Sequence, residues 1–521
     1  MGFRDDLVHY FKAGFPALAI RTHEEQRVED DILHAATAAD RSMLVWALGQ
    51  GWVRVSRAGG QTVVAPHADA KTPIDALKVA RTFGGDTVAV FRDLHHFLKS
   101  PEVIRLVRDL VPICKGDSRA LVITAPAIDL PTDLEKDVFV LRHPLPSRDE
   151  LSVAADTVLD GLVGDEARAI REDADKRKIA EALSGLTRSE AEDAIALALS
   201  KRKRFDDGAF DILRSVKAEA LRRSGMLTWV EPDVTDAEIG GMGNVKRYVE
   251  SIAPIFHDPD GAAAYGFRPE DWPRSIALIG IPGVGKSLLA KVIGRVLGIG
   301  IVRSNFGRVF GSKVGESEAN IQRRNELVEA QAPVEDWWDE AEKALAGIGG
   351  SKENPWEARV GAEVLTWFEE HRARVLTVAT INDINKLPPE MISRFQKVFF
   401  ADLPDEDEAT EIARIHLRMR GLDGALSDRE TAALGLLANH GGFNGREIRN
   451  MIQFGMQRAF AEKLKRPTYA VFEAASQGIT PISRSRKADL DHIREFASVN
   501  GIEPASAFKS TNRQPARKVR T

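Results

Sequence analysis

Two short stretches carry residue types whose spacing can do chemistry. Gly280-Ile281-Pro282-Gly283-Val284-Gly285-Lys286-Ser287 fits the phosphate-loop pattern G-x-x-x-x-G-K-S. Its glycines let backbone N–H groups curl around a phosphate, and the helix that follows adds partial positive charge at its start. Lys286 would reach the β- and γ-phosphates of a nucleotide, and the Ser287 hydroxyl would complete a magnesium shell. The expected contact set is Gly280, Pro282, Gly283, Val284, Gly285, Lys286, Ser287 and Leu288. The second stretch, PVEDWWDEAEK at 333–343, supplies Asp339 and Glu340. Asp339 suits holding the magnesium through water, and Glu340 suits polarising an attacking water.

The elements that must position these groups differ in clarity. Ser275 to Ile279 reads as a strand running into the loop, and an apolar-periodic helix follows. The acid pair should end a buried parallel strand, yet Glu335 and Asp336 interrupt its apolar run. Adjacent residues on a strand face opposite sides, so both carboxylates cannot escape to solvent. A helical alternative exists locally. Pro333 suits a first helical position, Glu335 and Asp336 suit a first turn, and Gly347 would cap the end. The sheet requires the strand, with Trp337 and Trp338 as its apolar part. Replacing Glu335 by valine together with Asp336 by leucine is then expected to stabilise the fold.

Further signals lie downstream and upstream. RVLTVATIND at 374–383 reads as a buried strand delivering Asn382, and LPPEMISRF and FNGREIRN carry Arg394 and Arg446. EIGGMGNVK at 238–246 precedes the phosphate loop and GSKVGESEANI follows it. In this order the motifs resemble the AAA+ ATPases, and more narrowly the AAA clade, over roughly residues 230–475. The resemblance implies that Ile239 and Gly240 line an adenine pocket. It implies that Asn382 is a first sensor, Arg446 a second sensor, and Arg394 a finger completing a neighbouring subunit's site. An arginine supplied in trans implies a homo-oligomer, a hexameric ring, with ATP and Mg2+ as cofactors. Lys313 stands where substrate-threading relatives present an aromatic residue, so threading is not expected unless Phe310 substitutes.

The N-terminal half echoes the second half without its loop. RALVITAPAIDLPTDLEKDVFVLRHPLPSRDE at 119–150 and RVLTVATINDINKLPPEMISRFQKVFFADLPDEDE at 374–408 share the order strand, turn, Leu-Pro, short helix, strand and acidic helix start. DTVAVFRDLHHFL at 86–98 is an apolar strand ending in Asp93, the place of an acid pair. The fold expected is α/β: a degenerate AAA+- or RecA-like domain at 1–150, a helical region or linker at 151–229, a phosphate-loop parallel-sheet domain at 230–403, a helical lid at 404–475 and a basic, disordered tail at 476–521. This arrangement, with THEEQRVE, GIPGVGKSLLAK and GSKVGESEANI, is similar to the AAA+ proteins encoded by a chloroplast open reading frame and their bacterial homologues.

Composition narrows the setting. The chain has 521 residues, 43% hydrophobic and 29% charged, with a formal net charge of −5. That balance argues against whole-protein attraction to nucleic acid, leaving the basic tail as the place for any such contact. Cys114 is the only cysteine, which fits a reducing compartment. No apolar run has membrane-span length, and MGFRDD lacks signal-peptide character, so a cytoplasmic protein (plastid-stromal if organellar) with no membrane contact is expected. The twelve histidines show no metal-ligand spacing, and His95 and His96 would face opposite sides of a strand. Two functions fit: an ATP-hydrolysing motor or switch that remodels a protein partner, and a nucleotide-gated scaffold with little hydrolysis.

Overall fold

The computed structural model describes residues 2–58, 61–163, 167–309, 316–345, 363–364, 366–387 and 389–506. The chain divides into two compact units, Met1–Lys217 and Ala218–Thr521. Phe310 and Lys313 lie outside the described residues, as do Gly347 and the basic stretch after residue 506.

The first unit is built on seven strands: β1 (Ala17–Arg21), β2 (Ser42–Ala47), β3 (Gly51–Ala58), β4 (Gln61–Ala68), β5 (Thr87–Arg92), β6 (Ala120–Ala125) and β7 (Phe139–Arg142). Their order is β4-β3-β2-β5-β6-β1-β7, parallel except for the β2–β3–β4 meander. β1 and β6 are hydrophobic along nearly their whole length because helices cover both faces, and their residues are almost entirely buried. Of residues 151–229, expected as a helical region or linker, those up to 217 pack into this unit as a helical layer, whereas Leu227–Val230 is a strand of the second unit's sheet. Arg27 reaches Glu150 at 3.0 Å, and the Arg188 backbone N–H reaches Glu24 at 2.6 Å.

The second unit has β8 (Leu227–Val230), β9 (Ser275–Ile279), β10 (Gly300–Ser304), β11 (Val334–Trp338), β12 (Val375–Ile381), β13 (Lys397–Phe400) and β14 (Glu503–Pro504). The order is β14-β13-β9-β12-β11-β10-β8, with only β8 antiparallel to its neighbour. Five strands match between the sheets. The run β2-β5-β6-β1-β7 has the same connectivity as β10-β11-β12-β9-β13. The internal echo read from the sequence is therefore an echo of topology.

PVEDWWDEAEK resolves into both of its readings. Val334 to Trp338 is strand β11, buried at every position, paired in parallel with β10 and β12. The helical character survives only past the acid pair, in Ala341–Leu345.

The tail expected to be disordered needs correction up to residue 506. Leu490, Ile493 and Ala497 form a buried apolar stripe on the helix Lys487–Val499, a spacing masked by the basic residues around it. Arg494 pairs with Asp402 at 2.8 Å. The chain then adds β14 to the edge of β13, with the Ala505 N–H donating to Phe400 O at 2.7 Å.

Candidate active site

The phosphate loop leaves β9 and turns into the helix Lys286–Leu297. Gly280, Gly283 and Gly285 all have positive φ, and at two of them a side chain has no room. A Cβ on Gly280 would lie 2.2 Å from the Ala401 carbonyl oxygen, and one on Gly283 would lie 2.6 Å from Asn444 Nδ2. Val284 is buried beneath the loop, and the Leu288 N–H continues the turn to Gly285 O at 3.1 Å.

Lys286 is buried, and its ammonium donates to Gly280 O at 2.5 Å, Ile281 O at 2.9 Å and Asn382 Oδ1 at 2.9 Å. Burial pulls its pKa down to about 7, opposed by the nearby carboxylates of Glu342, Asp339 and Glu340. Asp339 and Glu340 are the expected acid pair, and Glu342, with Lys343, follows it where the resemblance has them. Its place in the fold, buried beside Asn382 with its own pKa raised by burial, makes Glu342 part of the site.

Asp339 leaves the end of β11 beside the loop. The Ser287 hydroxyl donates to Asp339 Oδ1 at 3.4 Å, and Thr380 Oγ1 donates to the same oxygen at 3.0 Å. Thr380 also accepts the Glu340 backbone N–H at 3.1 Å, so one β12 hydroxyl fixes both acids. Glu340 takes a left-handed φ of 52°, sparsely populated for a residue with a long side chain. That turn brings Glu340 Oε1 to 3.5 Å from Asn382 Nδ2. Lys343 holds the other carboxyl oxygen at 2.5 Å from its ammonium. Ser287, Asp339 and Thr380 thus converge hard oxygen donors, a set that fits magnesium.

The remaining expected residues separate. Ile239 is buried, and Gly240 lies so close to the helix Glu406–Arg418 that a Cβ would come within 2.7 Å of Ile412. Met242 reaches toward Gly285, its Cε 3.9 Å from where a Cβ would stand. The segment expected to line the adenine pocket therefore lies beside the loop. Asn444 caps the helix Gly445–Ala461 and donates to Pro282 O at 3.0 Å, and the Arg446 N–H donates to Gly283 O at 3.1 Å. The Arg446 side chain is exposed and near enough to disfavour charge on Lys286. Arg394 is not gathered with these groups. It ends the helix Pro389–Arg394 and pairs with Glu369.

The two acids ahead of the pair have opposite fates. Asp336 is fully satisfied: it pairs with Arg324, accepts from Ser304 Oγ at 2.7 Å and accepts from Trp338 Nε1 at 2.6 Å. Glu335 is 0% exposed, with neither carboxyl oxygen in a well-formed hydrogen bond, and only the Gly294 backbone gives it polar relief. Burial pushes its pKa well above the usual carboxylate range. The native state therefore holds a proton that the unfolded chain releases near pH 4, and stability falls as pH rises from there toward the native pKa. Glu335→Met removes the titrating group. It is expected to raise stability by about 1–3 kcal/mol at neutral pH, with the gain shrinking toward pH 4. Urea unfolding at both pH values checks this, and a pH-independent difference would contradict it.

A phosphate loop between a parallel strand and a helix, with an acid pair ending the strand on the far side of β12 and a helical lid, is the arrangement of an AAA ATPase domain, and the second unit carries one. Residues 276–403 match the ATPase family associated with various cellular activities. Residues 3–143 and 154–224 match the N-terminal and second domains of SpoVK-like AAA ATPases. Along its length the chain is similar to the AAA domain-containing protein ycf46 of Guillardia theta, 27% identical over 97% of both chains. The ycf46 protein of Trieres chinensis is 28% identical over 97% of this chain and 99% of its own. A more distant relative, the cell division cycle protein 48 homologue of Archaeoglobus fulgidus, is 24% identical over 66% of this chain and 48% of its own.

Proposed function

We propose that the protein binds ATP with Mg2+ and hydrolyses it to drive conformational remodelling of a protein partner. The observation that carries this reading is the convergence of Lys286, Ser287, Asp339, Glu340 and Asn382 at the carboxyl ends of β9, β11 and β12. That is where open parallel sheets bind ligands. Phosphate oxygens replace the Gly280 and Ile281 carbonyls as partners of the Lys286 ammonium, and their negative charge favours its protonated form. Ser287 and Asp339 would hold the magnesium, which would supply neutralisation of the charge developing on the phosphates. Glu340, aimed by its left-handed backbone and by Asn382, takes the proton of the attacking water. Ile239 and Gly240 receive the adenine, and the Asn444–Arg446 corner carries the nucleotide state into the lid.

Arg394 suits a site on a neighbouring protomer better than its own, because its contact within the chain is Glu369 on the short helix at 366–370. We assign the assembly as a homo-oligomeric ring, hexameric by family resemblance. Among the described residues no helix is long and apolar enough to cross a membrane, and we assign the protein to the cytoplasm or the plastid stroma. The second reading, a nucleotide-gated scaffold that hydrolyses little, draws on the burial of two acids in β11.

Lys286→Ala is expected to weaken binding of a fluorescent ATP analogue at least about tenfold, since it removes a charge-assisted contact worth more than about 1.4 kcal/mol. Equilibrium titration with ring size followed by native mass spectrometry checks it. Unchanged affinity would sink both readings.

A further inference from the structure

We propose that the first unit carries a binding site for a zinc-class divalent transition ion, formed by Asp93, His95 and His96. Expected to face opposite ways on a strand, the two histidines instead sit on a 3-10 turn, Leu94–Phe97, directly after β5. The Asp93 carboxylate and one ring nitrogen from each histidine all lie within 4.8 Å of one another. Donors about 2.0–2.2 Å from a tetrahedral ion stand roughly 3.5 Å apart, so a small side-chain rotation closes the set.

Four features support a built site. First, the turn is fixed from below. Leu94 is fully buried, the Asp93 N–H donates to Thr124 O at 2.9 Å, and the His96 N–H donates to Asp93 O at 3.3 Å. Second, Asp93 has φ 55°, a left-handed conformation that swings the chain so that residues 93, 95 and 96 meet. Third, the imidazole rings lie 3.9 Å apart, tilted by 37°, while the buried His95 Nδ1 has no hydrogen-bond partner. The Asp93 carboxylate is 3.8 Å from that nitrogen, too far for a hydrogen bond and near enough to share an ion. Fourth, carboxylates outnumber the guanidinium beside the turn: Arg92, whose charge also reaches Asp93, is engaged by Glu29 at 2.6 Å and Glu25 at 3.2 Å.

Two imidazoles and one carboxylate suit zinc and its neighbours rather than magnesium or calcium. Asp93 is about half exposed, so open coordination positions face solvent and can accept water or an external ligand. The location has a counterpart. β5 lies between β2 and β6 as β11 lies between β10 and β12, and both strand ends turn through a left-handed residue, Asp93 and Glu340. The unit without a phosphate loop has kept the carboxylate at the ligand end of its sheet and surrounded it with imidazoles.

The test uses the full chain, stripped with chelator and titrated with Zn2+ against a chromophoric competitor in excess Mg2+. Wild type is expected to bind one equivalent more than His95→Gln/His96→Gln or Asp93→Asn. Co2+ substitution is expected to give visible d–d absorption in wild type that both variants lose. Equal zinc stoichiometry, or unchanged cobalt absorption, would overturn the site. If thermal melts in chelator show that the double variant does not fold, His96→Gln on the more exposed ring decides instead. Nucleotide binding through Lys286 should be the same in all these proteins.

Discussion

Asp336→Leu is expected to destabilise the second unit by about 3–5 kcal/mol, the usual cost of leaving a buried charge without its partner. The charge left behind is Arg324, 2% exposed. Its guanidinium lies 4.9 Å from the Trp367 ring centroid, 5.4 Å from that of Trp338 and 5.6 Å from that of Phe306. Ser304 Oγ accepts from Arg324 at 2.7 Å and donates to Asp336, so deletion of the carboxylate breaks a three-membered network. Trp338 Nε1 loses its acceptor as well. The double variant Arg324→Met/Asp336→Leu should recover most of the loss, because removing both charges removes the desolvation cost that each imposes. Guanidinium unfolding followed by tryptophan fluorescence measures the cycle. A midpoint for Asp336→Leu at or above wild type would mean that the pair does not hold the strand.

This divides an expectation that the sequence had joined. Both acids of β11 were read as liabilities, and their joint replacement as stabilising. Glu335 is one, buried against Gly294 with no adequate partner. Asp336 is not, and the reason lies on another element: Arg324 stands on the helix Glu316–Ala330, next to Arg323. Nothing in RR says which arginine turns inward, since only the packing of that helix on β11 decides it.

The same distinction accounts for what else was legible. Gly280 to Ser287 were readable because the chemistry fixes residue types at fixed spacing, and the strand before them is a plain apolar run. Asn382 was readable because it ends another such run. Thr380 was not, since a threonine in a strand has no spacing of its own. Asn444 was hidden in the same way: its amide matters because the helix it caps sits on Pro282. The apolar stripe 490–493–497 escaped notice because charge runs dominate that stretch. The closeness of His95 and His96 was not legible, because adjacent residues face apart only while the chain stays extended, and here it turns through Asp93 after β5.

A large effect on activity is expected at Glu340, and it separates the motor from the scaffold. Glu340→Gln keeps the shape of the side chain and its contact with Asn382 while removing the base, so nucleotide binding should persist. Turnover should fall by about 10²–10⁴-fold, the usual contribution of a positioned general base. The Glu340–Lys343 pair does not oppose this role, because Glu340 is 45% exposed and an ion pair at that exposure is worth about 1 kcal/mol or less. Arg394→Ala should reduce turnover by about 10³-fold or more for a different reason, loss of charge stabilisation on the transferred phosphoryl group. A mixture of the two inactive proteins tells whether the arginine acts across protomers. In a ring, an Arg394→Ala protomer retains Glu340 and can receive Arg394 from a Glu340→Gln neighbour, so mixed rings should regain activity that neither protein has alone. If the mixture stays inactive, Arg394 serves its own chain through Glu369, and the in-trans assignment fails. If wild type itself turns over no faster than Glu340→Gln, the lid and loop respond to binding alone, and the buried acids of β11 belong to a scaffold.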